Sequence, residues 1–143
     1  MLYNKQLFLH KPEIGQIGDC WRTAVACIFD LLPEEVPHFQ APYWGEPDAV
    51  NAIRDLNEWL KSYGLFYVAA GYNFATVEEA LAYSAQIFRG NRILFSGTSK
   101  NGTGHVVVAR HGEIEWDPAI DDSGIIGPKS NGLFYFAYFI KRF

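Results

Sequence analysis

The sequence predicts a single α+β domain, in which a helical first half contributes a helix that packs on an antiparallel sheet from the second half. Apolar residues recur at helical spacing early in the chain, and short β-branched and aromatic runs separated by Gly, Asn, Ser and Pro follow. The chain has 143 residues, 49% of them hydrophobic, which is enough for one packed core. Because no repeat or linker divides it, we expect one domain over residues 1–143.

Three helices and five strands are predicted. The first helix covers residues 19–31 and begins at Asp19, a residue type that favours helix N-caps. The second begins at residue 47 or 48, ends at 63 and is followed by the stop signal Gly64. The third covers residues 76–88 and opens with a capping pattern, Thr-Val-Glu-Glu. The predicted strands are residues 65–70, 92–95, 104–109, 113–117 and 133–141.

Charge and hydropathy argue against two kinds of partner. The net charge is −4 and Lys and Arg form no run, which is untypical of proteins that bind nucleic acid or anionic membranes. Uncharged apolar stretches such as residues 133–140 fall short of the roughly 20 residues that cross a bilayer. Residues 1–9 lack the pattern of a secretory signal. We therefore expect a cytoplasmic protein with neither a nucleic-acid partner nor a membrane partner.

Cys20 and Cys27 are expected to be free thiols with different roles. Their separation along one helix is about 10 Å, beyond the roughly 7 Å limit between the Cα atoms of a disulfide. Cys20 follows Gly18 and Asp19 at the mouth of the first helix, where free amides and the helix dipole stabilise a thiolate. Cys27 lies two turns further in, on the apolar stripe. The sequence therefore predicts a nucleophile at Cys20 and a packing residue at Cys27.

His105 is the histidine best placed to act as a base. It opens a predicted strand directly after a Gly-rich loop, residues 97–103, which leaves room for a ligand. The other histidines, His10, His38 and His111, lie in expected loops or turns.

Asp117 ends the strand after His105 and is predicted to orient its imidazole. A three-residue hairpin loop at 110–112 would pair residue 105 with 117. A two-residue loop would pair 105 with 118 and turn Asp117 to the opposite face. The proposed triad is therefore expected to need the three-residue loop.

Three short motifs carry a family resemblance: Gly18-Asp19-Cys20-Trp21, Gly104-His105-Val106-Val107-Val108 and Trp116-Asp117-Pro118. Their content and order resemble the papain-like cysteine peptidase superfamily, and within it the small bacterial and phage proteins similar to bacteriocin-leader-processing peptidases. The resemblance implies a papain-like fold and a Cys20-His105-Asp117 triad that forms a thioester intermediate. It also implies an oxyanion-stabilising glutamine shortly before the cysteine, for which Gln16 is the candidate.

The expected function is hydrolysis of a peptide, isopeptide or related amide bond in a peptide or protein substrate, without a cofactor. Peptidase, amidase, deamidase and acyl-transferase reactions share this thioester step, so the triad alone does not distinguish among them. A metal site is not expected, because the chain lacks CxxC and HxxxH spacing. The alternative is a catalytically silent papain-like fold in a phage or bacterial binding or assembly protein. Aromatic residues at 39–44 would favour it if they formed a flat patch rather than a cleft wall.

Overall fold

The computed structural model describes residues 1–142, which form a mixed α+β fold with a five-stranded antiparallel sheet. The helices are α1 (Cys20–Ile28), α2 (Val50–Leu60) and α3 (Val77–Phe88), and the strands are β1 (Leu65–Tyr72), β2 (Ile93–Thr98), β3 (Gly104–Arg110), β4 (Glu113–Trp116) and β5 (Phe134–Lys141). The strand order is β1-β5-β2-β3-β4. No helix in this part of the chain is long and apolar enough to span a membrane.

Helices cover both faces of the sheet, so that β2 and β3 are buried on both sides. Successive residues of β3 divide between two cores: Val106 and Val108 join the core beneath α1 and α2, whereas Val107 and Ala109 join the core beneath α3. This division follows from the two-residue period of a strand. The predicted packing of the first helix on the sheet is confirmed, but the three-layer arrangement was not anticipated.

The predicted elements are confirmed with small shifts at their ends. The first helix stops at Ile28 and not at residue 31. The second helix ends at Leu60 and is followed by a 3-10 turn, Lys61–Tyr63. Gly64 ends this turn in the left-handed conformation. The third begins after Thr76, whose hydroxyl accepts a hydrogen bond from the Glu79 amide at 3.2 Å. Each of these helix signals involves residues within about one helical turn of each other, so it can be recognised in the sequence.

Candidate active site

Cys20 is the first residue of α1, and its half-buried side chain lines a large cavity. Cys27 is fully buried in the core beneath α1 and α2, where burial raises the pKa of its thiol. Both cysteines are free. The two thiols are therefore separated as predicted, one in the cavity and one in the core.

Asp19 positions the start of α1 in a way that the sequence did not indicate. It occupies the N-cap position, but its carboxylate makes no capping hydrogen bond. The fully buried carboxylate instead accepts hydrogen bonds from the backbone amides of Leu7, at 3.3 Å, and Phe8, at 2.9 Å. It also accepts a charge-assisted bond from Arg22 Nε at 3.1 Å. Asp19 thus ties the N-terminal segment to the helix end that carries Cys20.

His105 connects the cysteine to the aspartate. The imidazole is 5% exposed, and Nε2 forms a hydrogen bond with Asp117 Oδ1 at 2.6 Å. Nδ1 is therefore the ring nitrogen left for Cys20. Burial disfavours the imidazolium, but the hydrogen bond with Asp117 and the neighbouring Cys20 side chain outweigh it and raise the pKa of His105 to about 9. The geometry therefore favours a charged His105 at neutral pH.

Asp117 is held by the segment that follows it. Oδ1 also accepts a hydrogen bond from the Ala119 amide at 2.9 Å, and Oδ2 accepts one from the Gly124 amide at 2.7 Å. Burial opposes ionisation, yet the His105 hydrogen bond and these amides lower the pKa of Asp117 below its ordinary value. The carboxylate is therefore ionised and fixed in orientation.

The hairpin that brings these two residues together differs from the prediction. The loop has two residues, His111 and Gly112, both with positive φ, and Arg110 pairs with Glu113. The predicted three-residue loop is wrong. A β-bulge after Ile114 shifts the pairing by one residue, so that Trp116 lies opposite Val108.

The bulge restores the side-chain orientation that a two-residue loop would have reversed. His105 and Asp117 accordingly meet although the loop has two residues, in the 2.6 Å hydrogen bond between Nε2 and Oδ1. The bulged residue, Glu115, is held by a bidentate pair with Arg92 at 2.7 and 3.0 Å.

The cavity has a volume of about 1050 Å³ and runs past both Cys20 and His105. Trp44 forms part of its wall, with its ring edge-on to His10 at a centroid distance of 4.5 Å. Of the aromatic residues at 39–44, Phe39 is buried in the core, so these residues do not form one flat patch.

The segment between β4 and β5 forms hydrogen bonds with residues at the end of β2 and just after it. Thr98 pairs with Gly127, and its hydroxyl donates to the Pro128 carbonyl at 2.7 Å. The amide of Lys100 donates to the Ser123 carbonyl at 3.2 Å. These bonds place the segment beside the loop that precedes His105.

Gln16 does not reach the cavity. Its side-chain amide donates to the Leu9 carbonyl at 2.7 Å, and the residue is absent from the cavity lining. Gln6 lies there instead, 8% exposed, with its side-chain amide donating to the Phe8 carbonyl. The expectation that Gln16 lies at the site is therefore wrong, and Gln6 is a glutamine that lines the cavity. The Asp19 anchor folds the segment back, which makes spacing along the sequence a poor guide.

Comparison of the chain with protein-family models, curated proteins and solved structures gave no match. Within residues 1–142, no group of three or more His, Cys, Asp and Glu side chains is arranged to hold a metal ion. The site is therefore interpreted from its own geometry.

Proposed function

We propose that the chain is a papain-like cysteine hydrolase that cleaves a peptide, isopeptide or related amide bond. One observation carries the proposal: Asp117 engages Nε2 of His105, which leaves Nδ1 for a cysteine that lines the same cavity at a helix N-terminus. The proposed nucleophile, base and orienting carboxylate therefore come from one site and follow each other along the chain in that order. The packing of α1 on an antiparallel sheet supports the papain-like assignment.

The proposed reaction begins with a Cys20 thiolate and a His105 imidazolium. The thiolate attacks the amide carbonyl, and His105 gives its proton to the departing amine as the C–N bond breaks. A thioester to Cys20 remains. Neutral His105 then takes a proton from water, which attacks the thioester, releases a carboxylic acid and regenerates the Cys20 thiolate and the His105 imidazolium. Asp117 keeps Nε2 as the hydrogen-bonding nitrogen in both steps.

The oxyanion formed on the attacked carbonyl needs hydrogen-bond donors. The backbone amide of Cys20 is suited to this role, since the first amides of a helix have no partner within the helix. The side-chain amide of Gln6 is the second proposed donor. It has two N–H groups, so that one can bind the Phe8 carbonyl while the other faces the substrate.

Alkylation of Cys20 tests the proposal without a known substrate. The rate of iodoacetamide labelling is measured by mass spectrometry against pH in the parent and in His105→Ala, with buried Cys27 as the internal control. We expect fast labelling of Cys20 below pH 7 in the parent. In the variant the labelling rate should rise with pH as for an ordinary thiol, with a midpoint at about pH 8.5. Equal, slow profiles in both would instead favour the catalytically silent binding protein.

A further inference from the structure

Lys129 lines the cavity that contains Cys20 and His105. Its backbone is fixed by a tight turn: the amide donates to the Leu133 carbonyl at 2.9 Å and the carbonyl accepts from the Gly132 amide at 2.8 Å. Its side chain is half-buried, with Nζ over the ring of Tyr135 at 5.5 Å. The turn and the ring together hold the ammonium group in place.

This ammonium group has no ion-pair partner within residues 1–142. Two acidic residues line the same cavity, but each is engaged elsewhere. Asp48 accepts from the Val50 amide at 3.0 Å, and Asp121 accepts from the Asn101 side chain at 2.9 Å. Burial lowers the pKa of Lys129, and the electrostatic influence of Cys20 acts against that lowering. A partly desolvated cation without a partner is costly, which suggests a role in binding an anion.

Tyr135, which also lines the cavity, supplies a second donor next to Lys129. Its hydroxyl oxygen accepts a hydrogen bond from Asn131 Nδ2 at 2.6 Å. The hydroxyl proton is therefore free to point at another acceptor. One ammonium and one hydroxyl suit a group with a single negative charge and two oxygens.

We infer that Lys129 and Tyr135 form a subsite for a substrate carboxylate close to the scissile amide. The inference rests on the proposed function and narrows its substrate class to amides with a carboxylate near the attacked carbonyl. That carboxylate belongs either to an acidic side chain or to the α-carboxylate of a terminal residue. Both sources present the same group: an acidic side chain on the acyl residue stays on Cys20 in the thioester, whereas the α-carboxylate of a terminal residue leaves with the amine.

Matched alkylating reagents test the subsite. Iodoacetate and iodoacetamide differ mainly by one charge, as do 3-bromopropionate and 3-bromopropionamide, whose charged group lies one carbon further away. The rate ratio of acid to amide at Cys20 is measured at low ionic strength in the parent, Lys129→Met and Lys129→Arg. Any effect of Lys129 on the thiolate itself alters both rates equally and cancels in the ratio.

We expect Lys129→Met to lower the ratio about fivefold for at least one pair of reagents and Lys129→Arg to retain it. The two sources are separated with peptide amides that carry only one of them. Slower turnover in Lys129→Met confined to the peptide with a free C-terminal carboxylate assigns an α-carboxylate, and slower turnover confined to the peptide with an acidic side chain assigns a side chain. Lys100→Met, which removes an exposed lysine outside the cavity lining, should leave both ratios unchanged.

Unchanged ratios in Lys129→Met, or the same loss in Lys129→Arg and Lys129→Met, would overturn the subsite. The ratios remain measurable at high pH even if Cys20 is an ordinary thiol. Failure of the subsite is therefore distinguishable from failure of the proposed hydrolase, which appears as slow labelling below pH 7 with every reagent.

Discussion

Replacing Asp117 by Asn is expected to lower the pKa of His105. Burial disfavours the imidazolium, and the hydrogen bond from His105 Nε2 to the Asp117 carboxylate is the largest influence that opposes burial. Asparagine keeps nearly the same shape and its single oxygen can still accept from His105, but it removes the negative charge and the acceptor that binds the Gly124 amide. The substitution therefore removes the charge of Asp117 with little change in side-chain volume.

The size of the effect follows from the pKa of His105. The difference between 6.5 and about 9 corresponds to about 3 kcal/mol at 1.36 kcal/mol per unit. Cys20 accounts for part of this, so we expect Asp117→Asn to lower the pKa by about 1–2 units. Because the folded pKa lies above the unfolded one, this group stabilises the fold fully below pH 6.5, and the contribution is lost as the pH rises through about 9. Between pH 6.5 and about 9, the free energy of unfolding should therefore fall less in the variant than in the parent.

NMR titration of the His105 imidazole gives the pKa directly, and urea unfolding at the two ends of the interval gives the stability. Asp122→Asn is the matched control, because it makes the same chemical change in the same segment at an exposed residue paired with Lys5. An unchanged midpoint in Asp117→Asn would refute the electrostatic account, as would an equal shift in the control.

Two further predictions concern the N-terminal segment. Gln6→Ala should slow turnover of an amide substrate about 10²–10³-fold if Gln6 stabilises the oxyanion. Gln16→Ala is the control and should have little effect, because Gln16 does not line the cavity. Equal losses of turnover in the two variants would contradict the role of Gln6. Asp19→Ala should lower the free energy of unfolding by about 3–5 kcal/mol, since it leaves Arg22 unpaired in a largely buried position. Asp30→Asn, which breaks an ion pair between an exposed carboxylate and the N-terminus and suits the left-handed backbone at this residue, is the control in urea unfolding and should cost under about 1 kcal/mol.

Much of the fold was predictable because its signals are local. The stripe that includes Cys27, the Thr76 cap and the left-handed Gly64 each act within about one helical turn, so the helices lie where the sequence predicted them. The strands followed from their composition and the turn residues between them. The convergence of His105 and Asp117 was also predictable, since one short hairpin joins their strands.

The register of that hairpin was not predictable by counting along the chain. The bulge at Glu115 adds one residue to β4. The Glu115 side chain is paired with Arg92, which lies in the connection between α3 and β2. The second core was missed for a similar reason: placing α3 on the far face of the sheet depends on the chain's path between β1 and β2. These features depend on contacts between residues distant in sequence.

The sequence by itself determined the elements, the α+β class and the three residues proposed for catalysis, because each carries a short motif. Only the tertiary structure decided what surrounds them. Gln6 enters the cavity because buried Asp19 binds the backbone of the N-terminal segment, and Lys129 enters it through the turn before β5. Neither residue has a local signature, since its position depends on hydrogen bonds formed by other parts of the chain.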